Sequence, residues 1–165
     1  MIRSMRGSAA VGCACALVCA AGSARADDHE AGESSFHRHH VGLILGGASA
    51  AEEHRNDQHG FVIGLDYEYR FSRWIGAGLI GEAAAGSLRD GVVAGSVFIH
   101  PWRGLLVAAG PGVEVSSHGT EYVTRVAAAY QFPIARRFSI APEFSVDILK
   151  EHVVYVYGVV FGVGF

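Results

Sequence analysis

The sequence predicts an all-β fold, an eight-stranded antiparallel up-and-down barrel that crosses a membrane with its strands. Three observations carry that prediction. The last eleven residues, YVYGVVFGVGF, alternate between a bulky face and a face of small residues and glycine. From His39 onward the chain divides into alternating segments of about ten residues separated by turn signals. The beginning of the chain has the three parts of an export signal.

Arg3 and Arg6 form a basic start, Ala9 to Ala21 is a short apolar run, and Ala24-Arg25-Ala26 is a small-x-small cleavage pattern. Residues 1–26 therefore read as a signal peptide cleaved near Ala26, since the apolar run falls short of the roughly 20 residues a spanning helix needs. Cys13, Cys15 and Cys19 all lie within it. The mature chain is thus left without thiols, disulfides or cysteine metal sites. Val18 stands before Cys19 where a lipidation signal expects a small residue. The signal also removes three arginines, so the net charge moves from −3 to −6. No basic stripe remains, which argues against nucleic acid as a partner. Residues 27–38 are polar, acidic and without periodicity, and read as a flexible periplasmic lead-in before the barrel of residues 39–165.

The eight segments fall near 39–49, 60–71, 74–84, 91–100, 104–116, 121–132, 137–149 and 153–165. Each is close to the 9 to 11 residues that a tilted strand needs to cross a bilayer. Their connectors alternate in character. Those after Phe71, His100 and Phe132 are tight, aromatic and basic, whereas those around Glu52 to Gly60, Leu88 to Gly91, Ser116 to Thr120 and Lys150 to His152 are polar. The tight turns and both termini are assigned to the periplasmic side and the polar loops to the outside. Within the second segment Phe61, Ile63, Leu65, Tyr67, Tyr69 and Phe71 share one face, and Gly64, Asp66, Glu68 and Arg70 the other. A soluble sandwich would alternate too, so the signal peptide, the aromatic strand ends and the terminal strand decide for the membrane. Pro111 and Pro142 fall inside strands and lack a ladder donor, so a bulge or an edge is expected there, above all at Gly110-Pro111-Gly112.

The whole of the chain after about residue 39 resembles the small eight-stranded outer-membrane barrels of the OmpA-transmembrane and OmpX type. The most specific element is the ending Tyr155 to Phe165, similar to the C-terminal signal with a final Phe that the outer-membrane assembly machinery reads. The resemblance implies an outer-membrane location, an assembly signal carried by Tyr157, Phe161 and Phe165, contact with outer-membrane lipid and lipopolysaccharide, and a monomer. It implies no single activity, because this architecture hosts unrelated functions.

An eight-stranded barrel has an interior about wide enough for side chains to fill. The predicted inward set is charged: Asp66, Glu68, Arg70, Glu82, Glu114, Arg125, Glu143 and Asp147. Pairing the fifth and sixth segments about His118-Gly119 predicts a cluster of Glu114, Arg125 and Glu143, with Glu82 and Asp66 in the same lumen. Such charges must be paired or solvated, and their expected role is a structural plug rather than a path for solute or protons.

Histidine supplies a second set of candidates. His37, His39 and His40 precede and open the first strand as a possible weak metal clasp, and His54, His59, His118 and His152 fall in outer loops. Neither set has a firm ligand spacing, and no cofactor is expected. Ser116, Ser117, His118 and Glu121 lie together at the outer rim, but they form a Ser-rich turn without the Ser and His pair on a strand that lipid A deacylases carry. The sequence therefore predicts a non-enzymatic envelope barrel with a structural or surface-interaction role. A small-solute or ion pore and histidine-mediated metal binding are the alternatives, and a lipid A-modifying enzyme is a remote one.

Overall fold

The computed structural model describes residues 36–51, 58–86, 88, 90–117, 119–150 and 152–165. The signal peptide, most of the lead-in, and the histidines at 54 and 118 lie outside them. Eight long strands form a single antiparallel sheet: β1 His39–Ala51, β2 Gln58–Arg70, β3 Ile75–Gly86, β4 Gly91–Trp102, β5 Leu105–Ser116, β6 Gly119–Tyr130, β8 Phe138–Ile148 and β9 Val153–Gly164. The two-residue β7, Phe132–Pro133, pairs with β8 in the register that β6 already sets, so it continues β6 past Gln131. No helix among the described residues is long and apolar enough to cross a membrane, which says nothing against crossing by strands.

Each long strand pairs with the next long strand, β6 with β8 among them, and β1 pairs with β9. The sheet therefore closes without a free edge. A walk perpendicular to the strands gives the stagger of that closure. It runs from His40 to Glu68, Gly78 and Ser96, crosses beside Gly110 to Arg125, and continues through Asp147 and Val154 to Ala50. It returns to β1 ten residues from its start, so the strands are strongly tilted.

Tilt and strand number leave an interior that side chains can fill, and the alternation chooses which ones do. On β1 the inward positions are His40, Gly42, Ile44, Gly46, Ala48 and Ala50; on β9 they are Val154, Val156, Gly158, Val160, Gly162 and Gly164. Ile44, Ile80, Phe98, Leu106 and Val160 build one apolar cluster, toward the end where β1 begins and β9 finishes, here called the end with the termini of the barrel. A second, with Val62, Leu88, Val92, Val123, Leu149 and Val156, lies toward the other end, here called the loop end. The outward positions hold the large exposed hydrophobics, among them Leu65, Leu79, Val97, Phe144 and Phe161.

Two glycine positions are set by close approach. Gly46 and Gly158 face each other across the closing β1–β9 seam, and a Cβ on either would run into the partner strand's backbone. Gly104, at φ 79° in the β4–β5 turn, occupies the left-handed region, and a Cβ there would press on the Gln131 carbonyl.

The prolines behave differently from expectation. At Pro111 the β5–β6 register runs on unbroken, and toward β4 the pairing lapses only between Ala94–Gly112 and Val97–Ala109, without a shift. The register shift between β4 and β5 lies instead at Ile99–Trp102, beside the tight turn. Pro142 stays in register with β9, and opposite it the β6 pairing is interrupted at Tyr130–Gln131. A missing donor thus divides β6 from β7, while the Gln131 N–H is satisfied by the Gly104 carbonyl at 2.6 Å.

Candidate functional site in the barrel lumen

The lumen is the place where polar chemistry is concentrated, and strand alternation puts it there. Every member of the predicted inward set sits on an inward position: Glu68, Glu82, Glu114, Arg125 and Asp147 are buried, and Asp66, Arg70 and Glu143 partly so.

Arg125 is the hub. Its side chain is 1 % exposed; Nε donates to Asp147 Oδ1 at 2.6 Å, and Nη2 donates to Asp147 Oδ2 at 2.5 Å and to Glu82 Oε2 at 2.7 Å. The planar guanidinium takes Asp147 in a two-point fork, and the same Nη2 also donates to Glu82. Because Arg125 and Asp147 are partners across the β6–β8 seam while Glu82 comes from β3, the network ties separate parts of the wall through the interior. It lies along the lumen between the two apolar clusters.

The predicted Glu114–Arg125–Glu143 triad is not what forms. The β5–β6 hairpin turns between Ser116 and Gly119, which sets Glu114 opposite Glu121 and Arg125 opposite Gly110; Glu143 faces Ala129 on the other seam. Glu114 lines a cavity of about 30 Å³ with Glu82, Asp90, Arg125 and Asp147. Glu143 lines a smaller one with His40, Asp66, Gln131 and Ser139. Of the predicted cluster, Glu82 and Arg125 are joined directly, and Asp147 takes the place given to Glu114.

A second network, which the sequence did not reveal, occupies the end with the termini. Glu68 is 1 % exposed; it accepts from Arg70 Nε at 2.9 Å and lies 2.7 Å from His100 Nε2. Arg70 Nη2 also donates to the Gln131 side chain at 3.2 Å. His40 lies 3.7 Å from Asp66 and 3.4 Å from the Ser139 hydroxyl. Only the registers of several strands, from β1 to β8, bring these residues together, although each lay on a face that could have been read as inward.

The histidines near the start of β1 are distributed by the same alternation. His40 points inward, whereas His39 points outward, 2.9 Å from the Tyr67 hydroxyl and stacked on Phe165. His37 Nε2 lies 3.1 Å from the Arg136 carbonyl. Among the described residues no three His, Cys, Asp or Glu side chains are placed to hold a metal ion. At the opposite rim the Ser116 hydroxyl donates to the Gly119 carbonyl across the turn. Tyr157, Phe161 and Phe165 all stand exposed on the outer face of β9 and its last residue.

A closed antiparallel barrel, glycine-rich and charged within and aromatic without, can be compared with known proteins as a whole. No family model matches the chain, and no curated protein does. Solved structures match it along the barrel. Neisserial surface protein A aligns with a TM-score of 0.57 at 10 % identity over 77 % of this chain and 97 % of that one. The N-terminal β-barrel domain of Pseudomonas aeruginosa OprF gives 0.55 at 13 % identity, over 76 % and 98 %. A de novo designed transmembrane β-barrel gives 0.50 at 13 % identity, over 79 % and 100 %. The fold is that of the small eight-stranded outer-membrane barrels. Such a barrel fixes where side chains point and leaves the chemistry to its lumen and rims.

Proposed function

We propose that this protein is a non-enzymatic outer-membrane barrel with an envelope structural or surface-interaction role, its lumen plugged by its own side chains. The observation that carries this reading is the Arg125–Glu82–Asp147 network lying between two apolar clusters. An ion following the lumen would have to displace a bidentate ion pair and then shed water against Ile44, Phe98 and Leu106 on one side or Val62, Val123 and Leu149 on the other. A barrel of eight strands has an interior about wide enough for side chains to fill, and the cavity beside the network is only about 30 Å³. The charge cluster of Asp66, Glu82, Glu114, Arg125 and Glu143 is a scaffold on this view. Export by the signal peptide cleaved near Ala26, and recognition of Tyr157, Phe161 and Phe165 by the assembly machinery, complete it. The fold shared with a neisserial surface protein supports the envelope location.

Planar-bilayer recording on the refolded mature chain tests the plug. Wild type is expected to give a flat baseline, and R125A intermittent openings. Regular single-channel steps from wild type would turn the reading into that of a pore.

A further inference from the structure

Among the described residues, exposed arginine gathers at one rim, while the other rim carries exposed Lys150 and Glu121. The three tight turns and the chain's approach to β1 lie at the end with the termini, and each brings arginine: Arg38, Arg73, Arg103, Arg136 and Arg137, all exposed. None of these five is paired with a carboxylate among the described residues. The acidic side chains near that end, Asp66 and Glu68, point into the lumen. Among the described residues the one exposed acidic side chain is Glu121, at the loop end.

Aromatic and aliphatic side chains stand on the barrel side of this arginine ring. Phe71, Trp74, Trp102, Phe132, Ile134 and Phe138 are exposed around the wall, Trp102 by 76 %. Aromatic rings of this kind settle at the headgroup level of a bilayer, and arginine stems extend past them so that the guanidinium reaches the phosphate plane. The turns therefore present planar, permanently charged, two-point donors at the depth where lipid phosphodiesters lie.

We infer that the arginine rim at the end with the termini is a docking surface for anionic phospholipid, holding phosphodiester headgroups of the leaflet it meets. The argument is charge complementarity: five exposed guanidiniums at one rim, none with a carboxylate partner among the described residues, above acidic side chains that face the lumen instead. Each arginine near an anionic surface strengthens attraction roughly fivefold, and the effect falls within a Debye length as salt rises. The inference rests on the membrane-barrel reading, but it adds a preference among lipids that the reading alone does not contain.

The test uses the refolded mature chain in micelles doped with equal amounts of dioleoylphosphatidylglycerol and dioleoylphosphatidylcholine, with retained lipid counted by native mass spectrometry. Wild type is expected to retain the glycerol lipid in preference. The variant R73Q/R103Q/R136Q/R137Q should lower that preference tenfold or more, and the lysine counterpart at the same four positions should keep most of it. Unchanged heat-modified gel mobility shows that both variants still form the barrel. An undiminished preference in the glutamine variant overturns the inference while leaving the barrel reading intact. A tenfold rise in retention for D27N/D28N/E30Q/E33Q also overturns it, since the acidic lead-in would then be what covers the arginines. Retention of neither lipid by any variant overturns the membrane reading and this inference together.

Discussion

Replacing Arg125 with alanine is the perturbation whose consequence the lumen geometry defines most sharply. The guanidinium makes three donor contacts, two to Asp147 and one to Glu82, and its side chain is 1 % exposed. Removing it leaves two carboxylates in an apolar enclosure with no cation to answer them. Breaking a buried pair in this way costs about 3–5 kcal/mol, far more than the pair is worth against a well-packed apolar replacement. With a urea dependence of about 2 kcal/mol per molar for a domain of this size, the unfolding midpoint should fall by about 2 M. The assay is reversible urea unfolding of the refolded barrel in vesicles, followed by tryptophan fluorescence and by the heat-modified gel shift. The triple variant R125M/E82Q/D147N, which removes every charge of the network, should recover most of the loss. A midpoint for R125A within about 0.3 M of wild type would refute the argument, because the network would then not be sealed from water.

Three further outcomes follow from the wall and the termini. A methyl group added in G158A meets the Leu45 carbonyl and the Gly46 Cα across the closing seam, so a loss of about 1–3 kcal/mol is expected in the same urea assay; unchanged stability would mean that the seam has slack. Phe165 is 58 % exposed at the end of the outer face, so F165A should barely alter in vitro stability yet lower the amount of assembled protein in cells, read by immunoblot of the envelope fraction. Equal envelope levels would remove the residue from any assembly role. Because His39 and His40 point to opposite faces, zinc calorimetry should show no micromolar site that is lost in the H37A/H39A/H40A variant.

The architecture was legible in the sequence because a strand's two-residue period writes both faces into the chain. Asp66, Glu68, Arg125 and Asp147 could be placed inward, and Leu65, Phe144 and Phe161 outward, without knowing a single strand partner. The pairings were less legible. Pairing the fifth and sixth segments about His118-Gly119 slipped their register by two and brought Glu114 close to Arg125, whereas Glu114 faces Glu121 and Arg125 meets Asp147 across the other seam. The facing survived because the slip was an even number of residues. The Glu68–His100 and His40–Ser139 contacts depend on two or more registers at once, so no local pattern marks them. The prolines show the limit from another side: composition locates the missing donor, but whether the sheet answers with a bulge or with a lapse in pairing depends on the neighbouring strand.

The pairing of β1 with β9 makes the barrel a test of its own length. His39 exchanges backbone hydrogen bonds with Phe165, in both directions, at 3.0 and 2.9 Å. Those bonds join residues at the two ends of the barrel sequence, and they close the ring that the intervening pairings build. A chain that stops early, or that loses one strand, keeps two open edges, and an open edge is a template for pairing with another molecule. Completion is thereby recorded in a single local event, the meeting of the first strand with the last, and an unfinished product stays recognisable by the edges it exposes.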